Sequence, residues 1–476
     1  MSLNKVPLIQ IFASQQAQTL RDKLCATLRQ LIASGTLPQG ERLPSSRLMA
    51  ADLSLSRVTV EAAYTQLESE GYLLRKTGKG TFVAIALERQ RRVRKTARSA
   101  PLALSSRGKK IVATGGCQDP LYPQAFAAGS PDLRVFPHDI WRRLTAQRLR
   151  SPETVMGYGD PQGLPELRQA VVRYLAQSRG VRCAAEQVII MTSSQQALQM
   201  LAMLLCDAGE RISLEEPGYR GAYNAFVSAG AEISGLELDD QGAKLPDTAR
   251  AKLVYLTPSH QYPTGVTMSL SRRLQWLAYA NKHDSWLIED DYDSEFYYDE
   301  QPMPALQGLD DNGRVLYLGT FSKALFPSLR LAYLVVPPAL VEPFCRMRSV
   351  MDGHSAQLMQ AVTADFINHG HFQAHLRLMR KLYASRRDLL LTQLAEKLGD
   401  RLKPQSHSGG LQLTVTLPGG GEERLTQAAL NAGLILPRLS PLYQGAVKQE
   451  GWLLGFSALQ RAEIINAVDK LARLFY

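Results

Sequence analysis

Val315-Leu316-Tyr317-Leu318-Gly319-Thr320-Phe321-Ser322-Lys323 decides the reading of this chain. Val315 to Leu318 is a short apolar run with a β-branched residue and a tyrosine, the composition of a buried strand. The chain leaves that strand at Gly319 and presents Thr320, Ser322 and Lys323 in quick succession. Arg330 follows seven residues after Lys323. Further strands are predicted on both sides, at 188–192, 211–214, 253–256, 285–288 and 331–336, with helical segments such as 195–205 between them. Strands alternating with helices predict a mainly parallel α/β sheet. From about residue 355 the pattern changes. A long helical stretch at 358–397 precedes strand-like runs at 411–417, 434–436 and 452–456 and a last helix, which predicts a smaller α+β subdomain over about 355–476.

In an open α/β sheet, ligands bind where the strands end at their carboxyl edge. Ser193-Ser194-Gln195 lies there, between a strand and a helix start, where free backbone N–H groups favour a phosphate. Asp290 and Tyr292 end the strand that begins at Ser285. A hydroxyl-flanked lysine, an arginine, a phosphate-cradling turn and a carboxylate together suit pyridoxal 5'-phosphate. In that reading Lys323 is the Schiff-base lysine. Arg330, Thr320, Ser322 and the turn of Ser193, Ser194 and Gln195 hold the phosphate. Asp290 pairs with the pyridinium nitrogen and Tyr292 donates to the ring hydroxyl.

These residues resemble the fold-type I aminotransferases over about residues 120–476. The resemblance includes Tyr158-Gly159-Asp160-Pro161-Gln162-Gly163-Leu164-Pro165-Glu166-Leu167-Arg168, Glu216-Pro217-Gly218-Tyr219, Pro258-Ser259-His260-Gln261-Tyr262-Pro263-Thr264-Gly265 and Ser322-Lys323 with Leu329-Arg330-Leu331-Ala332-Tyr333. It implies that Tyr219 stacks on the cofactor ring. Three departures stand out. Tyr262-Pro263-Thr264-Gly265 replaces the usual Asn-Pro-x-Gly, so the contact to the ring hydroxyl is either missing or supplied by Gln261 or Tyr262. Ser193 stands where glycine is frequent. Leu453-Leu454-Gly455-Phe456 replaces Arg-x-x-Phe, and leucine cannot grip a substrate carboxylate. Arg220 and Arg438 are candidate substitutes for effector binding. The loss of that arginine argues against efficient transamination and leaves weak turnover at most.

The 476 residues carry a net charge of +11, unevenly spread. Residues 1–83 hold ten basic and six acidic side chains, and residues 84–112 hold nine and one. The remainder holds 36 and 37, so the body is near neutral behind a basic front. That asymmetry predicts a polyanion-binding module joined to something else. The overall composition, 45% apolar and 21% charged, is that of a globular chain. The five cysteines are scattered without a Cys-x-x-Cys, which suggests neither a disulfide framework nor a metal site. No apolar run is long enough to span a membrane and no secretory signal is visible, so a cytoplasmic protein is expected.

In the front, residues 16–34 have helical apolar spacing and end at Gly35. Ser45 or Ser46 is placed to cap one short helix, and Ser54 or Ser56 the next, which begins Arg57-Val58-Thr59-Val60. Two capped helices with a tight connection form a helix-turn-helix. Two short strands around Lys76-Thr77-Gly78-Lys79-Gly80 add a hairpin wing. The stretch resembles the winged helix of GntR-type bacterial regulators over about residues 14–84. The match rests on Gly40-Glu41-Arg42-Leu43-Pro44-Ser45-Ser46-Arg47, Leu55-Ser56-Arg57-Val58-Thr59-Val60, Leu67-Glu68-Ser69-Glu70-Gly71-Tyr72 and Gly78-Lys79-Gly80-Thr81-Phe82-Val83. It implies double-stranded DNA as a partner, with Arg47, Arg57 and Thr59 at the operator and Lys79 and Gly80 on the wing. Residues 85–112 read as a basic flexible linker, and 113–476 as the body.

A GntR-type winged helix, a basic linker and an aminotransferase-like body together resemble the MocR/GabR regulators. That resemblance implies a bacterial homodimer with DNA-binding domains exchanged between bodies, associated with the nucleoid when bound to DNA. Its effector would be pyridoxal phosphate, another B6 vitamer, or an amine reacting with the lysine-bound cofactor. The genes controlled would serve vitamin B6 or amino-acid and amine metabolism. The competing readings are a working aminotransferase carrying a DNA-binding domain, and a regulator whose body has lost the cofactor.

Overall fold

The computed structural model describes residues 5–85, 104–116, 124–246, 250–298, 303–405, 408–446 and 448–475. The chain forms two compact units, Met1–Ala103 and Leu104–Tyr476.

In the first unit, Leu20–Ala33, Ser46–Leu53 and Arg57–Ser69 are helices, and Leu73–Lys76 pairs antiparallel with Gly80–Val83. Side-chain caps begin all three helices. Thr19 accepts from Asp22 N, Ser45 from Leu48 N and Ser56 from Thr59 N. Ser54, the alternative cap, instead closes the preceding helix in a left-handed conformation. Leu24, Leu28 and Leu31 pack with Met49, Leu53, Val60, Tyr64 and Leu67, and Leu73 and Val83 of the hairpin complete this core. Tyr64 Oη donates to Pro44 O at 2.9 Å, which ties the third helix to the chain entering the second. A further helix, Lys5–Ser14, precedes the unit expected from the sequence.

The second unit is built on a seven-stranded sheet. Its order is Val188–Met191, Ala332–Val335, Val315–Thr320, Trp286–Asp291, Leu253–Leu256, Arg211–Glu215 and Glu232–Leu236. Every pairing is parallel except those of Ala332–Val335, which runs antiparallel to both neighbours. Alternate residues feed different cores. Val188, Ile190, Tyr317 and Tyr333 join one apolar cluster, and Ile189, Met191, Leu316 and Leu334 join another. The sheet is therefore covered on both faces, which is why its strands read as unbroken apolar runs.

The small subdomain holds the helix His371–Leu398 and a three-stranded antiparallel sheet of Lys403–Pro404, Gln412–Thr416 and Gly451–Gly455. Two sequence expectations fail here. The predicted helix at 358–397 is two helices, Gln357–Asn368 and His371–Leu398, separated at Gly370, whose φ is +77°. Residues 434–436 are not a strand; Leu434 and Leu436 are simply buried.

Of the expected linker, residues 86–103, including the basic run ending at Lys95, lie outside the described residues. Its far end departs from the expectation of no fixed element. Ser106–Ala113 is a helix capped by Ser105, and Asn224 Nδ2 donates to Gly116 O at 3.0 Å just beyond it.

Candidate functional site

Strand direction gathers the predicted cofactor residues. Parallel strands deliver Met191, Glu215, Leu256, Asp291 and Thr320 to one edge of the sheet. The antiparallel strand starts at that same edge, so Arg330, two residues before Ala332, is delivered there too. Thr320 is paired with Ala332, and Ala332 with Met191. Lys323 and the Ser193 turn thus follow two strand ends, and Arg330 precedes the start of the strand between them.

Asp290 tests whether these residues fit pyridoxal phosphate. Its Oδ2 accepts from Tyr255 Oη at 2.7 Å, while Oδ1 is buried with no hydrogen-bond partner among the described residues. Burial pushes the carboxyl up to about 7, and the neighbouring Asp291, Asp293 and Glu215 add to the rise. A buried carboxylate with an open oxygen and acidic neighbours calls for a cationic donor. A pyridinium N–H is such a donor, so the residues fit the cofactor that the fold implies. Tyr255 was not singled out in the sequence because it reads as one more aromatic strand residue. Only the sheet register, Tyr255 opposite Ile288, places it beside Asp290.

Three tyrosines form the wall next to this carboxylate. Tyr219 and Tyr262 meet edge to face at 5.6 Å between ring centroids, and Tyr262 and Tyr292 at 5.9 Å. The 257–262 loop that carries Tyr262 is held by a buried acid. Glu215 Oε2 accepts from Thr257 N at 3.1 Å and from Gln261 Nε2 at 3.3 Å, and Thr257 Oγ1 accepts from Tyr262 N at 3.0 Å. Gln261 Oε1 accepts from Thr264 N and Thr264 Oγ1. Gln261 is therefore spent on its own loop and on the 215–217 segment, and Tyr262 is the residue that meets the other rings where aminotransferases place asparagine.

Lys323 Nζ donates to Gly129 O at 2.8 Å, and a Cβ at Gly129 would lie 2.8 Å from that nitrogen. Gly129 has φ +69°, a left-handed conformation that favours glycine, and its missing side chain leaves the lysine tip room at this carbonyl. The phosphate turn is shaped by side chains. Ser193 Oγ accepts from Gln196 N at 3.1 Å, and Gln195 Nε2 turns away to Gly221 O at 3.0 Å. The turn stands at the N-terminal end of Ser194–Leu205, where the helix dipole favours an anion. Thr320 Oγ1 likewise accepts from Ser322 N at 3.1 Å. Behind the turn, Gln196 Oε1 accepts from Thr192 N at 2.9 Å, and Gln196 Nε2 donates to Asp352 Oδ2 at 2.7 Å. Asp352 is paired with the fully buried Arg348. Neither Asp352 nor Arg348 carries a sequence signal, because Arg348 lies on the helix Pro338–Met351 and Asp352 caps its C-terminal end, remote in the chain.

Arg330 is exposed and has φ +53°, a left-handed conformation that costs a side-chain-bearing residue roughly 1–2 kcal/mol. Strain at a predicted phosphate ligand implies a trade. Arg330→Gly is expected to raise the melting stability of cofactor-free protein by about 1 kcal/mol. It is also expected to weaken pyridoxal phosphate binding about tenfold or more, the worth of a lost charge-assisted hydrogen bond. Thermal melts with a fluorescence titration check both; unchanged binding would remove Arg330 from the site.

The two candidate effector arginines stand differently. Arg220 opens the helix Arg220–Ala229, one residue after Tyr219, with its guanidinium 4.7 Å from the Tyr223 ring centroid. Arg438 bridges to Trp452 and is 3.5 Å from Glu423 in an open ion pair. Leu453 is buried in its strand opposite Thr414, so no cation stands where aminotransferases carry the carboxylate-binding arginine.

In the first unit, Arg47, Arg57 and Lys79 are exposed at helix starts and on the wing, while Thr59 Oγ1 and Ser56 Oγ share a 2.8 Å hydrogen bond. Gly80 opens the second wing strand. Two residues that sequence reading passed over join this surface. Val58 is 79% exposed beside Arg57, an unpaired apolar group fit for a base methyl. Arg42 is exposed and bridges to Phe82 of the wing.

A winged helix on one unit and an aminotransferase sheet on the other define a DNA-binding regulator with an enzyme-type body. The comparisons agree. Residues 20–83 match the model of bacterial regulatory proteins of the gntR family, and residues 127–476 match aminotransferase class I and II. The chain is 39% identical to the probable rhizopine catabolism regulatory protein MocR of Rhizobium meliloti, across 95% of this chain and 93% of that one. It is 30% identical to the pyridoxine biosynthesis transcriptional regulator PdxR of Corynebacterium glutamicum, across 94% and 95%. The kynurenine aminotransferase of Pyrococcus horikoshii superposes with a TM-score of 0.69 at 27% identity, covering 80% of this chain and 96% of that one. The chain belongs to the MocR family of HTH-type transcription regulators, and its fold-type I aminotransferase body implies pyridoxal phosphate. No helix among the described residues is long and apolar enough to cross a membrane.

Proposed function

We propose that this chain binds an operator as a homodimer, and that pyridoxal phosphate, or an amino compound held at the same site, sets its affinity for that DNA. The open oxygen of buried Asp290 carries the reading: it is a site for a ring cation on a chain that also bears a DNA-reading unit. When bound, the cofactor supplies an aldehyde and an electron-withdrawing ring. The chain's own residues do the holding. Lys323 offers the amine, Asp290 keeps the ring nitrogen protonated, and Tyr219, Tyr262 and Tyr292 enclose the ring. Arg330, Thr320, Ser322 and the turn of Ser193, Ser194 and Gln195 take the phosphate.

Leu453 favours sensing over transamination, because a substrate carboxylate finds no arginine there. It also favours a vitamer over an amino acid as the effector, in line with the relative named for pyridoxine biosynthesis. An exposed apolar patch supports the homodimer. Tyr158 is wholly exposed and sits edge to face with His354, and Met156, Val350 and Met351, a few residues away from one or the other in the chain, are exposed too. Such a patch is suited to burial against a second copy.

The test is to map bound genomic DNA with and without pyridoxal phosphate and then to measure affinity for the recovered site. Fluorescence anisotropy should show affinity that changes with the cofactor and falls with salt. Arg57→Ala should weaken binding about tenfold, as expected for loss of one base or phosphate contact. Affinity indifferent to cofactor, together with sustained turnover of amino donors and 2-oxo acids, would replace this reading with that of an enzyme.

A further inference from the structure

We infer that His260 and Asp293 are positioning residues that keep the phenol proton of Tyr292 aimed at the cofactor ring. The inference rests on the reading that pyridoxal phosphate occupies this site. His260 Nδ1 lies 3.2 Å from Tyr292 Oη and also 3.2 Å from Asp293 Oδ1. His260 and Asp293 are both buried, and the His260 ring stacks on that of Tyr292 at 6.2 Å.

One ring nitrogen cannot serve both neighbours in the same way, since it carries either a proton or a lone pair. With a lone pair, Nδ1 would accept the Tyr292 O–H and face the acceptor oxygen of Asp293 unfavourably. With a proton, Nδ1 donates to Asp293 and presents N–H, not a lone pair, to Tyr292. The phenol proton then has no acceptor on His260 and is free for the ring oxygen of the cofactor. Asp293 therefore selects the useful tautomer, as a carboxylate behind a histidine does elsewhere. Burial holds the Tyr292 phenol well above its ordinary range, so it stays a donor.

The pair is walled in by the small subdomain. Gly410 has φ +84°, and its N–H donates to Phe296 O at 2.7 Å. A Cβ there would lie 2.3 Å from His260 Cε1 and 2.8 Å from Asp293 Oδ2. Glycine lets the backbone close over the pair, so His260 cannot swing away from Tyr292 on that side.

The experiment reconstitutes the full chain with pyridoxal phosphate at one fixed pH. It compares the parent with Y292F, H260L, H260N, D293N and the double variant Y292F/H260L. The readouts are the position of the visible absorption band and the dissociation constant of the cofactor. H260L and D293N are expected to move the band in the same direction as Y292F and to weaken binding about two- to tenfold, as for one neutral hydrogen bond. H260N keeps an N–H where Nδ1 stands and should retain the parent band. H260L added to Y292F should change nothing further. A folded H260L with the parent band, an H260N that behaves as H260L, or fully additive effects would overturn the inference. If H260L does not fold, D293N against Y292F decides in the same way. A parent that shows no visible band with pyridoxal phosphate would instead overturn the cofactor reading itself.

Discussion

Asp290→Asn should make the cofactor-free body more stable at pH 8 while depriving it of pyridoxal phosphate. Asp290 is buried, has one unpartnered oxygen, and has a carboxyl raised from 3.8 to about 7. The folded state therefore binds this proton more tightly than the unfolded chain does. Stability is unaffected below about pH 4, falls as pH rises through the interval, and is lowest above about 7. Three pKa units correspond to about 4 kcal/mol. Asparagine removes that penalty and still accepts from Tyr255. Glu215, Glu289 and Glu295 are raised by burial to about 7, 7 and 8, so a residual slope of the same sign remains in the variant. With cofactor present the order should reverse. The parent gains a buried ion pair between carboxylate and pyridinium, whereas the amide offers no charge, and affinity should fall about a hundredfold or more. Urea denaturation at pH 5 and pH 8, with and without cofactor, gives all four numbers. No gain for the cofactor-free variant at pH 8 would mean that Oδ1 is satisfied by another group.

The same carboxylate shows what a sequence discloses and what it hides. Asp290, Lys323 and Arg330 are legible because their positions follow from strand ends, and the strands themselves show as apolar runs buried on both faces. The winged helix is legible for a similar reason: Ser45 and Ser56 are local caps whose partners lie three residues on. What escapes is whatever depends on sheet register or on distant packing. Tyr255 is one core aromatic among several until its strand is set beside Trp286–Asp291. His260 gains a role only when the 257–262 loop is folded against Tyr292. Glu232–Leu236 gives no clear strand signal because it is an edge strand, half exposed and interrupted by Gly235, whose missing side chain makes room for Glu216. The two helices at 357–398 look continuous in sequence because the helical pattern runs on through His369-Gly370. Only the left-handed φ of Gly370 marks the break.

Lys323→Ala should leave a folded protein that no longer retains pyridoxal phosphate covalently and whose operator affinity no longer responds to it. The lysine side chain is only partly buried, and its described hydrogen bond goes to Gly129 O, so removing it should cost about 1 kcal/mol of stability, too little to unfold the body. Borohydride treatment of the parent should fix the cofactor to the peptide containing Lys323, and the variant should gain no such mass. Non-covalent binding through Asp290, Arg330 and the Ser193 turn should survive in weaker form. The two losses are therefore separable by raising the cofactor concentration. If saturating cofactor restores the DNA response of the variant, occupancy of the ring pocket is the signal and the vitamer is the effector. If it does not, the signal requires the bond to Lys323. Under that outcome a primary amine that competes with Lys323 for the aldehyde should act on the parent and have no effect on the variant, which anisotropy titrations with and without such an amine would show.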